Sequence, residues 1–176
     1  MVMDEDREAF ASANYIIEKL QKHDIKDITN LKLQKLLYFA YGVHLSLYSE
    51  KLFTAPIQAW QFGPVVPCVY RAFKVFGKNP ISLNARAVIS KEDYSDDGEV
   101  PKINEAQQEN QAKSLLVACA AYGKKKAWDL VDITHDDGSA WKKCYNSNAK
   151  VTNIADEDIK AEFEKYIDTL ANYLLG

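Results

Sequence analysis

LKLQKLLYFAYGVHLSL, residues 31–47, is the stretch whose reading decides the fold. Leu33, Leu36, Leu37, Ala40, His44 and Leu47 recur at the i, i+3, i+4 spacing of one helical face. Leu31, Tyr38, Phe39 and Val43 put apolar bulk on its other sides, which leaves Lys32, Gln34, Lys35 and Ser46 as its polar relief. A helix this apolar has no face to spare for water, so at least two other elements must cover it. Each buried Leu or Phe contributes roughly 1.5–3 kcal/mol, and burial of this one helix supplies a large part of the gross stabilisation.

Working outward, Phe10, Ala13, Ile17 and Leu20 mark one face of an amphipathic helix over residues 6–22, with Asp4, Glu5 and Asp6 near its positive end. The connection 23–30 is short, and Asp27, Thr29 or Asn30 can cap the central helix, so the two helices form an antiparallel hairpin. Residues 49–62 read as an extended arm with a short strand near 57–61. Gly63-Pro64 breaks the chain, and Pro64 or Pro67 suits the first turn of a helix that turns Val66, Val69, Tyr70, Phe73 and Phe76 inward and stops at Gly77. Alternation at Ile81, Leu83, Ala85, Ala87 and Ile89 suggests one weak strand, followed by an acidic, solvated loop over 92–99. Helices are then expected over 104–122, with Ala112, Leu115, Leu116 and Cys119 buried, over 125–134, from a Ser139 cap through Trp141, and over 156–175. The expected fold is mainly α: a compact single-domain helical bundle, residues 1–176, around a buried central helix, with at most a small β element.

The 176 residues are 47% hydrophobic, enough for one well-buried core. Lys and Arg number 22 against 25 Asp and Glu, a formal charge of −3 that offers nucleic acid no global attraction. Cys68, Cys119 and Cys144 are odd in number and form no CxxC pair, so neither a disulfide framework nor a zinc ribbon is indicated and a reducing, cytoplasmic setting is expected. The acidic start lacks the pattern of a signal peptide, and no apolar run is long enough to cross a membrane.

Chemistry-bearing residues are few. His44 lies on a buried face, where a hydrogen-bonded core imidazole is the plainer reading and a general base or ligand the sharper one. His135 ends a helix, where the dipole favours its protonated form and the ring can cap carbonyls. Asp132, His135, Asp136 and Asp137 are metal-compatible side chains, yet no HExxH, HxH or Cys-rich spacing accompanies them, and a solvated turn accounts for them. The sequence has no phosphate loop, dinucleotide fingerprint or nucleophile elbow. Cys68 reads as a small buried hydrophobe, and Lys124-Lys125-Lys126 as a solvated helix start rather than a nucleic-acid surface. Trp60 and Trp141 are read as core anchors, the hot spot of a protein interface being their functional alternative. No cofactor and no metal is expected.

Three blocks, LKLQKLLYFAYGVHL at 31–45, AWQFGPVVPCVYRAFKVFG at 59–77 and ITHDDGSAW at 133–141, resemble in order and spacing the signature of the Panacea antitoxin domain family, SocA/GepA-like and phage-associated. The matching positions are Leu33, Lys35, Leu36, Tyr38, His44, Trp60, Gly63, Pro64, Thr134, His135 and Trp141. The resemblance implies a helical, non-enzymatic protein that neutralises a cognate protein toxin, encoded by an adjacent gene, through direct binding. For its SocA-like branch it implies an adaptor that delivers the toxin to a AAA+ protease. Ala140 departs from the proline that many relatives carry before the tryptophan, and the acidic stretch between Asn84 and Asn104 is longer than usual, a candidate partner surface. The rival reading is a small hydrolase or nucleotide-modifying enzyme using His44 and His135. It requires both imidazoles in one open cleft.

Overall fold

A computed structural model describes residues 4–90, 98–171 and 173 of the chain. The central helix, α2 (Asn30–Tyr48), begins at Thr29, which among the three candidate caps is the one whose side chain accepts from the Lys32 amide, at 3.2 Å. It ends at Ser49, whose left-handed backbone returns its N–H to the Leu45 carbonyl. α1 (Asp4–Lys22) precedes it, and α4 (Glu109–Tyr122) and α7 (Asp156–Glu164) give it its most extensive cover. Phe39 stacks on Tyr122 at 4.2 Å between centroids, and Phe163 meets Tyr38 edge-on at 5.5 Å. Gly42 makes this crossing possible, since a Cβ there would stand 2.2 Å from the Phe163 ring. The fold is mainly α-helical, as expected.

Of the polar relief expected on α2, only Ser46 is partly exposed: Lys32, Gln34 and Lys35 are buried. Each is satisfied instead by a partner contributed from elsewhere. Lys32 pairs with Asp27 at 2.7 Å, Gln34 bridges Asn30 and the Val66 amide, and Lys35 reaches the Pro64 carbonyl. Long amphipathic side chains can lay their stems on apolar surface and still bond at the tip, which a periodicity reading cannot see.

Residues 58–65 form a β-hairpin, β1 (Gln58–Trp60) with β2 (Gly63–Val65), where a strand and a chain break were expected. Pro64 is tolerated because Ala59, opposite it, sends its amide to the Thr152 carbonyl at 2.9 Å, so no cross-strand bond is lost. α3 (Pro67–Phe73) follows and tightens into a 3-10 turn that stops at Gly77. Val66, Val69 and Phe73 are buried as expected, whereas Tyr70 is exposed.

Residues 81–89 form no strand. They are held by an isolated bridge between Ile89 and Glu99 and by buried Asn14, which bonds both polar groups of Ala87 and the Pro101 carbonyl. Of the acidic stretch 92–99, only Gly98 and Glu99 are among the described residues. α4 starts five residues later than expected because Asn104 accepts from the Ala106 and Gln107 amides and closes a separate turn. It buries Val117 and exposes Leu116. α5 (Ala127–Thr134) and α6 (Ala140–Cys144), the latter capped by Ser139, fall where expected. The last helix is split into α7 and α8 (Ile167–Ala171), with Tyr166 exposed at the break and Leu174 outside the described residues.

Candidate functional site

Lys35 is the best starting point, because a fully buried lysine must be explained. Its Nζ donates to the Pro64 carbonyl at 2.9 Å, and burial alone pulls its pKa down to about 7. Gly63 lies against it. A Cβ at Gly63 would come 2.6 Å from Thr134 Oγ1 and 2.9 Å from Lys35 Cε, and the residue also holds a left-handed φ of 98°. Only glycine meets both conditions. Thr134, buried at the end of α5, turns its hydroxyl to the Val131 carbonyl at 2.8 Å.

The next residue, His135, lays its ring on Trp141, with centroids 3.8 Å apart. Trp141 stacks in turn on Tyr145 and donates its indole N–H to the Trp60 carbonyl at 2.8 Å, which closes a circuit back to the hairpin. His135 is not the protonated helix cap expected from its position. Its backbone N–H does the capping, its Nε2 is buried without a partner, and burial and then the Lys35 charge lower its pKa. Desolvation outweighs the helix dipole here.

Seven signature residues from three distant blocks, Lys35, Trp60, Gly63, Pro64, Thr134, His135 and Trp141, therefore meet around one hairpin. Leu33 and Leu36 belong to the core. Tyr38 gives its hydroxyl to Glu162 at 2.6 Å. Glu162, on α7, escaped the sequence reading, although it is buried and also accepts the Ala140 amide at 2.7 Å. Burial raises its carboxyl above the usual range, and these two donors offset part of that effect. An acid in a helix already rich in solvated-looking acids gave no local signal. The Ala140 amide that it uses is one a proline would lack.

His44 stands apart from this cluster. It is fully buried, and its Nδ1 lies 2.9 Å from Ser114 Oγ, whose own proton goes to the Asn110 carbonyl. Nδ1 thus donates and Nε2 keeps a lone pair with no partner. Protonation would bury an unpaired N–H, consistent with a pKa that burial holds below the ordinary value. His44 packs on Tyr48 and His135 on Trp141. Four surface clefts of about 220 to 540 Å³ are described, and neither histidine lines any of them. Cys68 and Cys119 are pushed up to about 12 by burial, away from reactivity. Among the described residues no group of three or more His, Cys, Asp and Glu is arranged to hold a metal ion, and no helix is long and apolar enough to cross a membrane.

The signature side chains thus close on one another around a hairpin held to the central helix. A family model described as Antitoxin SocA-like, Panacea domain, matches residues 33–142, which contain every signature position. The chain is also 34% identical over 162 residues to the Antitoxin SocA of Caulobacter vibrioides (strain NA1000 / CB15N), covering 89% of this chain and 82% of that protein. It belongs to the SocA-like Panacea antitoxin domain family. No solved structure matches it.

Proposed function

We propose that this chain, acting as one unit over residues 1–176, is the antitoxin of a toxin-antitoxin system and neutralises its cognate protein toxin by direct binding, without catalysis and in the cytoplasm. The observation that carries the reading is the family match across residues 33–142. The geometry supports it. Signature residues serve shape: Lys35 ties the hairpin to α2, Trp141 ties it to α6, and Tyr38 joins Glu162 of α7. The hydrolase alternative has less support, because His44 and His135 keep separate partners and share no described cleft.

Co-expression with the product of the adjacent reading frame tests the proposal. Rescue of a toxic neighbour together with a co-purified complex supports it. A harmless neighbour that forms no complex overturns it. Delivery to a AAA+ protease is the variant mechanism: it requires the toxin's half-life to shorten when the antitoxin is present and to recover when the protease is removed. A toxin that stays intact inside the complex supports occlusion.

A further inference from the structure

Residues 51–90 contain five cations, Lys51, Arg71, Lys74, Lys78 and Arg86, and not one Asp or Glu, in a chain of formal charge −3. The fold uses two of the five internally: Lys51 pairs with Asp156, and Arg86 bonds the Ala85 carbonyl and Gln21. Arg71, Lys74 and Lys78, on and just after α3, are exposed and make no ion pair among the described residues. Beside them the hairpin carries aromatic rings on both flanks. Trp60 meets Tyr70 of α3 at 5.0 Å, and Phe62 at the hairpin turn meets Trp128 of α5 at 5.5 Å. Phe62 is 48% exposed, Trp128 57% and Val75 82%. Large rings left in water next to uncommitted cations have the composition of interface hot spots, where Trp, Tyr and Arg carry most of the binding energy.

We propose that this face, made of the hairpin turn, α3 and the start of α5, is where the toxin docks, and that it receives an acidic patch on that protein. The proposal rests on the toxin-binding reading above. Charge complementarity selects the occupant, since Arg71, Lys74 and Lys78 make the α3 side of this face positive within an acidic protein, and opposite charge steers encounter and fixes register. A phosphate backbone fits less well. Arg71, Lys74 and Lys78 make few phosphate contacts, and exposed Val75 has nothing to offer a sugar-phosphate chain.

The probe is the purified product of the adjacent reading frame, titrated against the full-length antitoxin. Two variants are compared with wild type, Phe62→Ala/Trp128→Ala and Arg71→Glu/Lys74→Glu, with Lys113→Glu on α4 as a control and circular dichroism to show that each is folded. All the changed side chains are at least partly exposed, so folding is retained. Both variants are expected to weaken Kd by about tenfold or more, the control to stay within about twofold, and wild-type affinity to fall as salt is raised. If the neighbour's product does not bind wild type, the toxin-binding reading falls and this surface with it. If it binds wild type and both variants alike, the surface alone is wrong. Binding of a random-sequence DNA duplex that Arg71→Glu/Lys74→Glu abolishes, with toxin affinity unchanged, overturns the proposal in favour of nucleic acid.

Discussion

Lys35 Nζ donates to the carbonyl oxygen of Pro64 at 2.9 Å with no carboxylate among the described residues to share its charge, and through this bond a lysine from the second turn of the central helix holds the β-hairpin. The cost of burying an unpaired ammonium is visible in its pKa of about 7.

That pKa sets a pH dependence. The folded value lies below the lysine's ordinary 10.5, so the stability it contributes is full above 10.5 and is lost as pH falls toward 7. Between pH 7 and 9 the unfolded chain binds the extra proton, and stability to urea rises with pH by at most roughly 1.4 kcal/mol per unit. Above pH 9 the buried thiols and phenols, whose pKa values are raised, oppose the trend. Lys35→Met is expected to flatten the slope between pH 7 and 9. An unchanged slope in that variant would assign it to another group.

The imidazoles govern the acid side. His44 and His135 are both held below 6.5 by burial, so their contribution is full above 6.5 and is lost as pH falls below it. Imidazole proton shifts followed by NMR are expected to titrate below 6.5 for both rings. A midpoint above 6.5 for either would contradict the buried, unpartnered Nε2 described here.

Gly63→Ala combines a disfavoured φ of 98° with contacts at 2.6 and 2.9 Å to Thr134 and Lys35. Strain and overpacking together are expected to cost roughly 2–4 kcal/mol in chemical denaturation. Gly77→Ala, at a positive φ but with nothing within 4 Å, is the matched control and should cost less. Equal losses would mean that the backbone conformation, and not the packing around Lys35, is what Gly63 serves.

Much of this was legible in the chain. The central helix announced itself because eleven apolar or aromatic positions in residues 31–47 leave no wet face, and Gly77, Ser139 and the α5 segment obeyed their local signals. What was missed depends on distant partners. Lys32, Gln34 and Lys35 look like solvated positions until Asp27, Val66 and Pro64 are brought to them. The hairpin was hidden because Gly63-Pro64 is a local breaker whose missing amide matters only if the opposite residue points at it, and Ala59 points away. The cluster around Gly63 was present in the sequence as three blocks, but periodicity carries no information about which blocks touch.

Glu162 offers a test of that long-range wiring. Glu162→Ala strands the Tyr38 hydroxyl and the Ala140 amide and is expected to cost about 2–4 kcal/mol in urea melts. Glu162→Gln keeps an acceptor and should cost about 1 kcal/mol. If the two variants lose the same amount, the carboxylate is not serving as the shared acceptor.

Because the signature residues act through shape, the most direct measurement is toxin neutralisation by a His44→Gln, His135→Gln double variant, at a temperature where circular dichroism shows it folded. Growth rescue and a toxin complex as in wild type are expected. A folded double variant that still binds the toxin yet no longer neutralises it would contradict a role through shape alone and point to chemistry at the imidazoles.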